Sequence, residues 1–130
     1  MKIQVSTLET GGDARGLSFS MPREALDFLG EVADVRIAAS GPGTVRGNHF
    51  HLQKRQALIS FPGPAWSLHW DEGEGTQVQQ RSFDGRGAVM ALIPPGCSIA
   101  VRNDGEQLLW LVTSSSKPYD SAEIVARKVI

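Results

Sequence analysis

The amino-acid sequence predicts an all-β fold, a sandwich or barrel built as one domain over residues 1–130, and three observations carry that expectation. Fourteen glycines and seven prolines interrupt the chain at short intervals. The runs between them are roughly 5–8 residues long and suit short strands joined by turns. The joints themselves, GPG, PGP, DEGEG, DGRG, PPG and NDG, are turn chemistry: glycine supplies positive φ, proline presets φ, and Asn or Asp bonds its own backbone.

Taken in order, strands are expected at 3–8 (IQVSTL), 16–21 (GLSFSM), 34–40 (DVRIAAS), 45–52 (VRGNHFHL) and 56–61 (QALISF). Further strands are expected at 65–70 (AWSLHW), 76–83 (TQVQQRSF), 88–93 (AVMALI), 98–103 (SIAVRN) and 107–113 (QLLWLVT). One short helix fits 22–29, where Pro22 takes an early helical position. The tail SSSKPYDSAEIVARKVI ends in either a strand or a frayed helix. No internal repeat, low-complexity tract or domain linker breaks the series, so one domain is expected.

Composition narrows the function. A 41% hydrophobic, 21% charged chain of 130 residues with formal net charge −1 is an ordinary globular domain with one core. No run of Lys and Arg offers a footprint for nucleic acid or an anionic membrane. No apolar run approaches a membrane span, and the first residues, MKIQVSTLETGGD, hold no stretch suited to a signal peptide. The single cysteine, Cys97, excludes an internal disulfide. A cytoplasmic setting is the expectation.

The most informative stretch is 43–63, GTVRGNHFHLQKRQALISFPG. His49 and His51 are one residue apart, and residues i and i+2 of a strand share a face. Both imidazoles therefore enter one cavity, while Phe50 faces the other side. Histidines converging on a point hold a metal or move protons.

These residues resemble the cupin superfamily. Its first motif, G-x5-H-x-H-x4-E-x6-G, is matched by Gly43, His49, His51, Gln56 and Gly63, with glutamine in place of glutamate. Its second motif, P-x-G-x2-H-x3-N, is matched by Pro94, Gly96, Ile99 and Asn103, with isoleucine in place of histidine. Within cupins the wording is similar to the branch of dTDP-sugar 3,5-epimerases and 3,4-ketoisomerases. Asp13-Ala14-Arg15-Gly16 resembles their D-x-R-G loop. Arg46-Gly47-Asn48-His49-Phe50-His51 resembles the ketoisomerases' R-G-x-H-x-H, and more closely the R-G-N-H-Y-H of capsular-polysaccharide epimerase cupin domains. Pro118-Tyr119-Asp120-Ser121 resembles the tyrosine-and-acid tail after the last ketoisomerase strand.

The resemblance implies a double-stranded β-helix, the cupin jelly-roll barrel, and an isomerase or epimerase of nucleotide-linked keto-deoxysugars in polysaccharide biosynthesis. His49 and His51 become the catalytic candidates. Arg46, Gln56, Asn48 and Arg15 become substrate-binding candidates. A nucleotide sugar is the expected small-molecule partner, and a homodimer is the expected assembly. A catalytic zinc usually takes three protein ligands, and a ferrous site two histidines plus a carboxylate. With Gln56 and Ile99 at two ligand places, ligand counting opposes a tightly held ion, and no cofactor is expected. Cys97 shares strand parity with Ile99 as a conceivable substitute. Metal-free ketoisomerases carry glutamine at the place of Gln56, so the resemblance implies proton abstraction beside a carbonyl with His49 as base and His51 as its partner. The alternatives are a non-catalytic cupin binding a sugar-like ligand and a weak metal-binding cupin held by His49 and His51.

Other polar and aromatic residues are assigned blander places. His69 is expected to be structural or to line the rim. Trp66, Trp70 and Trp110 are expected in the core or a subunit contact. Asp71, Glu72 and Glu74 are expected as a solvated hairpin tip, and Cys97 as a small buried hydrophobe. Tyr119, the only tyrosine, is expected outside the barrel strands.

Overall fold

In the computed structural model, residues 2–130 are described. They form two five-stranded antiparallel sheets. The first sheet runs β1 (Gln4–Leu8), β9 (Ala88–Ile93), β6 (Gln56–Ser60), β11 (Leu109–Ser115) and β4 (Asp34–Ser40). The second runs β12 (Ile124–Ala126), β5 (Val45–His51), β10 (Ile99–Asn103), β7 (Trp66–Trp70) and β8 (Gln79–Phe83). A separate hairpin pairs β2 (Gly11–Asp13) with β3 (Gly16–Ser18). This is the jelly-roll barrel expected from the sequence. The strands at 34–40 and 88–93 have the expected bounds, and most others are trimmed by one or two residues. The expected strand at 16–21 shrinks to the second arm of the hairpin, and 76–83 shortens to 79–83. The tail resolves into a 3₁₀ turn, Ser121–Glu123, followed by β12.

One apolar cluster lies between the sheets: Leu58, Ala91, Ile93 and Leu111 from the first pack with Trp66, Leu68, Trp70 and Val101 from the second. Trp66 stacks on Phe83 with ring centroids 4.5 Å apart. A second cluster forms on the outer side of the first sheet. There helix α1 (Arg23–Leu29) sets Ala25 and Leu29 against Ala57, Ile59, Met90 and Leu92. The helix starts after Pro22 and stops at Gly30, whose φ of 74° suits glycine and whose N–H returns to the Leu26 carbonyl.

Strand β4 reverses the usual apolar-in, polar-out order. Val35 and Ile37 stand 53% and 67% exposed on the outer face, with Trp110 of β11 at 48% beside them. Asp34, Arg36 and Ala38 turn inward instead. Of the tryptophans expected in the core or a subunit contact, Trp66 and Trp70 are in the core and Trp110 is exposed.

Strand β5 contains the irregularity that shapes the site. Its register against β10 runs Ile99 with His49, then Ala100 with Gly47, so one residue, Asn48, is extra. This is a β-bulge, which re-aims the side chains on one side of it. Asn48 takes φ 59°, tolerated by asparagine, and Gly47 takes φ 112°. A Cβ on Gly47 would lie 2.4 Å from the Ile99 carbonyl oxygen and 2.9 Å from the Ala100 Cα, both backbone atoms. Gly47→Ala should therefore lower unfolding stability by at least about 1–3 kcal/mol, read as a shifted denaturant midpoint with an unchanged slope. An unchanged midpoint would show that the bulge accepts a side chain.

Candidate active site

The open half of the barrel encloses a cavity of about 420 Å³. His49 and His51 both line it, with ring centroids 5.4 Å apart and planes inclined at 82°. Strand parity thus brings the two imidazoles together as the sequence implied. His51 is buried and its Nδ1 has no hydrogen-bond partner among the described residues. Burial foremost, then the nearby charges of Lys54 and His49, lower its pKa to about 4, with Glu123 opposing. His51 is therefore a neutral imidazole at pH 7.

That shift predicts a pH dependence of stability. The unfolded chain takes up a proton near pH 6.5, whereas the folded chain resists until about pH 4. The contribution is complete above pH 6.5 and is lost as pH falls from there to about 4, amounting to roughly 3 kcal/mol. Denaturant midpoints measured across that window should fall for the wild type and fall less for His51→Gln. Equal falls would contradict the assignment.

Among the substrate-binding candidates, Arg46 and Gln56 line the cavity. Strict alternation would put Arg46 opposite the histidines. The bulge reverses this, pairing Arg46 with the cavity-lining Val101. Its Nε donates to Ser40 Oγ at 2.7 Å. The Gln56 amide nitrogen donates to Ser115 Oγ at 3.2 Å. Asn48 and Arg15 are not among the lining residues. The Asn48 side-chain oxygen accepts from the Val129 and Ile130 amides and ties down the tail. Arg15, its side chain 90% exposed, pairs with Asp13 in the β2–β3 hairpin.

The cavity also takes residues that sequence reasoning passed over. Arg36 reaches it from the inward face of β4, and Lys54 from the loop after β5. Tyr119 lies outside the barrel strands, as expected, and lines the cavity too. The Arg36 guanidinium lies 5.3 Å from the Tyr119 ring centroid. The likeness of the tail to the ketoisomerase tail was the one signal for Tyr119. The signal for Arg36 was its alternation with Val35 and Ile37, legible only once the outer face of β4 is known.

A cupin metal does not fit this donor set. Ile99, at the place of the expected third histidine, pairs directly with His49 across β5 and β10 and presents hydrocarbon to the cavity. Gln56 offers an amide where a carboxylate is expected. Among the described residues, no three of His, Cys, Asp and Glu converge on a point. Cys97 is buried within the apolar core, and burial foremost pushes its thiol pKa up, away from the thiolate a metal needs. His69, buried in β7, bonds Ser67 Oγ at 2.9 Å and is structural.

The tail braces the histidine strand. Strand β12 pairs Ile124 with His51 and Ala126 with His49. The Glu123 carboxylate accepts from the Gln53 and Lys54 amides at 2.7 Å each. Arg127 then grips Asp71 with two hydrogen bonds, donates to the Gly96 carbonyl and lies over Phe50 at 4.2 Å. Asp71, expected in a solvated turn, is only 4% exposed. Burial alone would raise its pKa, but hydrogen bonds from Arg127, Ser98 and Gly73 hold it below the ordinary carboxylate range.

No family profile and no curated protein matches the chain. Solved structures share its fold at low identity. A 3'-monoepimerase from Streptomyces bikiniensis, in complex with dTDP and with two residues substituted, is 18% identical with a TM-score of 0.79, covering 95% of this chain and 68% of that one. A dTDP sugar isomerase from Desulfovibrio desulfuricans is 15% identical at TM-score 0.79, covering 98% and 84%. A sugar 3,4-ketoisomerase variant from Thermoanaerobacterium thermosaccharolyticum, in complex with TDP-4-keto-6-deoxyglucose, is 14% identical at TM-score 0.70, covering 95% and 86%. The chain has the cupin-type fold of dTDP-sugar epimerases and ketoisomerases. Among the described residues, no helix is long and apolar enough to cross a membrane.

Proposed function

We propose that this chain is an isomerase or epimerase of a nucleotide-linked keto-deoxysugar, working by metal-free proton transfer beside the carbonyl. The observation that carries the reading is the pair of imidazoles in one cavity, with no third His, Cys, Asp or Glu converging on them among the described residues. A base must keep the proton it takes, so its pKa should lie near the working pH. His51, lowered to about 4, is too weak for that role, which leaves His49 as base. His51 is then a neutral hydrogen-bonding partner. Arg46 and Arg36, both exposed at the mouth, suit the diphosphate, and Tyr119 sits beside them. Gln56 orients the sugar from the wall. The bound ligands of the structural neighbours agree with a nucleotide sugar.

Incubation with dTDP-4-keto-6-deoxyglucose in deuterated water tests the reading. Deuterium should enter at carbon 3, and its absence at high protein concentration would refute the chemistry. A second reading, a binding module without catalysis, draws on Ile99, which removes an imidazole the resemblance expects. The wider reading includes a cytoplasmic role in polysaccharide biosynthesis. It also includes a homodimer, supported by the uncovered apolar face of Val35, Ile37 and Trp110. Light scattering after size exclusion should give twice the chain mass.

A further inference from the structure

We propose that Ile99 sets the substrate class of this site: a keto-sugar that lacks the hydroxyl on carbon 2, the carbon next to the one that gives up its proton. The inference rests on the proton-transfer reading and deepens it by naming the kind of sugar.

Strand β10 lines the cavity with Ile99 and Val101, and both present hydrocarbon. Leu58 and Leu111 line the same cavity from the first sheet, and these two and Val101 are only 3–4% exposed. The backbone of β10 is paired on both sides, with β5 and with β7, so its amides and carbonyls are taken up in the ladders. The polar groups near this wall stand on other elements, His49 and His51 on β5 and Gln56 on β6, whose amide is given to Ser115. A hydroxyl pressed against Ile99 would lose its water and find no partner there.

Position decides which hydroxyl. Ile99 is the direct cross-strand partner of His49, and side chains so opposed leave the sheet about 5 Å apart. With His49 at the hydrogen of carbon 3, Ile99 meets the sugar within a bond or two of that carbon. Oxygen 4 gathers negative charge as the proton leaves, and oxygen 3 rides on the carbon that changes, so each needs a hydrogen-bond donor. Carbon 2 takes no part in the electron flow and suits a hydrocarbon wall once its hydroxyl is absent. Carbon 6 is three bonds from carbon 3 and beyond that reach. Ile99 is then a fitted wall and not a lost imidazole.

The test measures deuterium entry at carbon 3 for dTDP-4-keto-6-deoxyglucose and for its 2-deoxy analogue, with wild type, Ile99→Val and Ile99→Asn. The wild type should favour the 2-deoxy sugar in kcat/KM by roughly 10–100-fold. Ile99→Val should keep that ratio. Ile99→Asn, which sets an amide in the wall, should bring it within about threefold of unity by speeding the hydroxylated sugar, with dTDP affinity unchanged within about threefold. Comparing ratios between variants cancels the intrinsic difference in reactivity of the two sugars, and a merely structural role would slow both sugars together. A wild-type ratio near one would overturn the proposal even if Ile99→Asn failed to fold. A ratio that Ile99→Asn leaves unmoved, or a loss shared equally by both sugars, would overturn it too. No exchange with either sugar would instead sink the proton-transfer reading itself.

Discussion

His49→Asn is expected to lower deuterium entry at carbon 3 of the keto-sugar by roughly 10²–10⁴-fold, or about 3–5 kcal/mol of barrier. Asparagine keeps much of the size of the imidazole and cannot hold the proton. His49 is half-buried at the cavity wall, and its strand is fixed on one side by β10 and on the other by β12. The substitution should therefore remove the base without moving its neighbours. Affinity for dTDP should stay within a few fold, because the cations assigned to the diphosphate, Arg36 and Arg46, are untouched. Unchanged exchange would mean that another group takes the proton. A protein that never exchanges but binds dTDP equally well with and without His49 would be the binding module.

The second large effect concerns the fold. Asp71→Ala should lower unfolding stability by about 3 kcal/mol, read from the denaturant midpoint at neutral pH. The carboxylate accepts from the Arg127 guanidinium and from the Ser98 and Gly73 amides, and it is nearly enclosed. Removing it leaves a partly buried guanidinium without its partner and two amides without an acceptor. The loss should be accompanied by loosening of β12, since Arg127 anchors the segment that follows it, and amide exchange at Ala126 should quicken. A loss below about 1 kcal/mol, with protected tail amides, would show that the Asn48 and Ser98 contacts hold the tail alone.

Much of this architecture is legible in the sequence because its turns are marked by Gly, Pro, Asn and Asp, and because i and i+2 parity needs only local information. That is why the strands and the convergence of His49 with His51 follow from residue order. The rest depends on contacts between distant segments or on departures from regular geometry. Arg46 enters the cavity only because Asn48 is extra in the β5 register, and strict alternation points it the other way. Asn48 itself is spent on the tail amides of residues 129 and 130, a contact no local pattern announces. Asp71 finds Arg127 across 56 positions of sequence, so a turn-like local context misled. Strand β4 turns Val35 and Ile37 outward onto a face that α1, packed on β6 and β9, leaves uncovered, and no local pattern shows where that helix lies. Lys54 looks like a surface residue in HLQKRQ until Glu123 takes its backbone amide and the loop folds inward.

On the proposed reading the two imidazoles act as free acid–base groups and not as ligands of an ion. Deuterium exchange at carbon 3 should therefore be measured on chelator-treated protein, and again after adding zinc or ferrous ion in slight excess. An unchanged rate in all three preparations is the predicted result. Loss of exchange on chelation with recovery on adding either ion would contradict it.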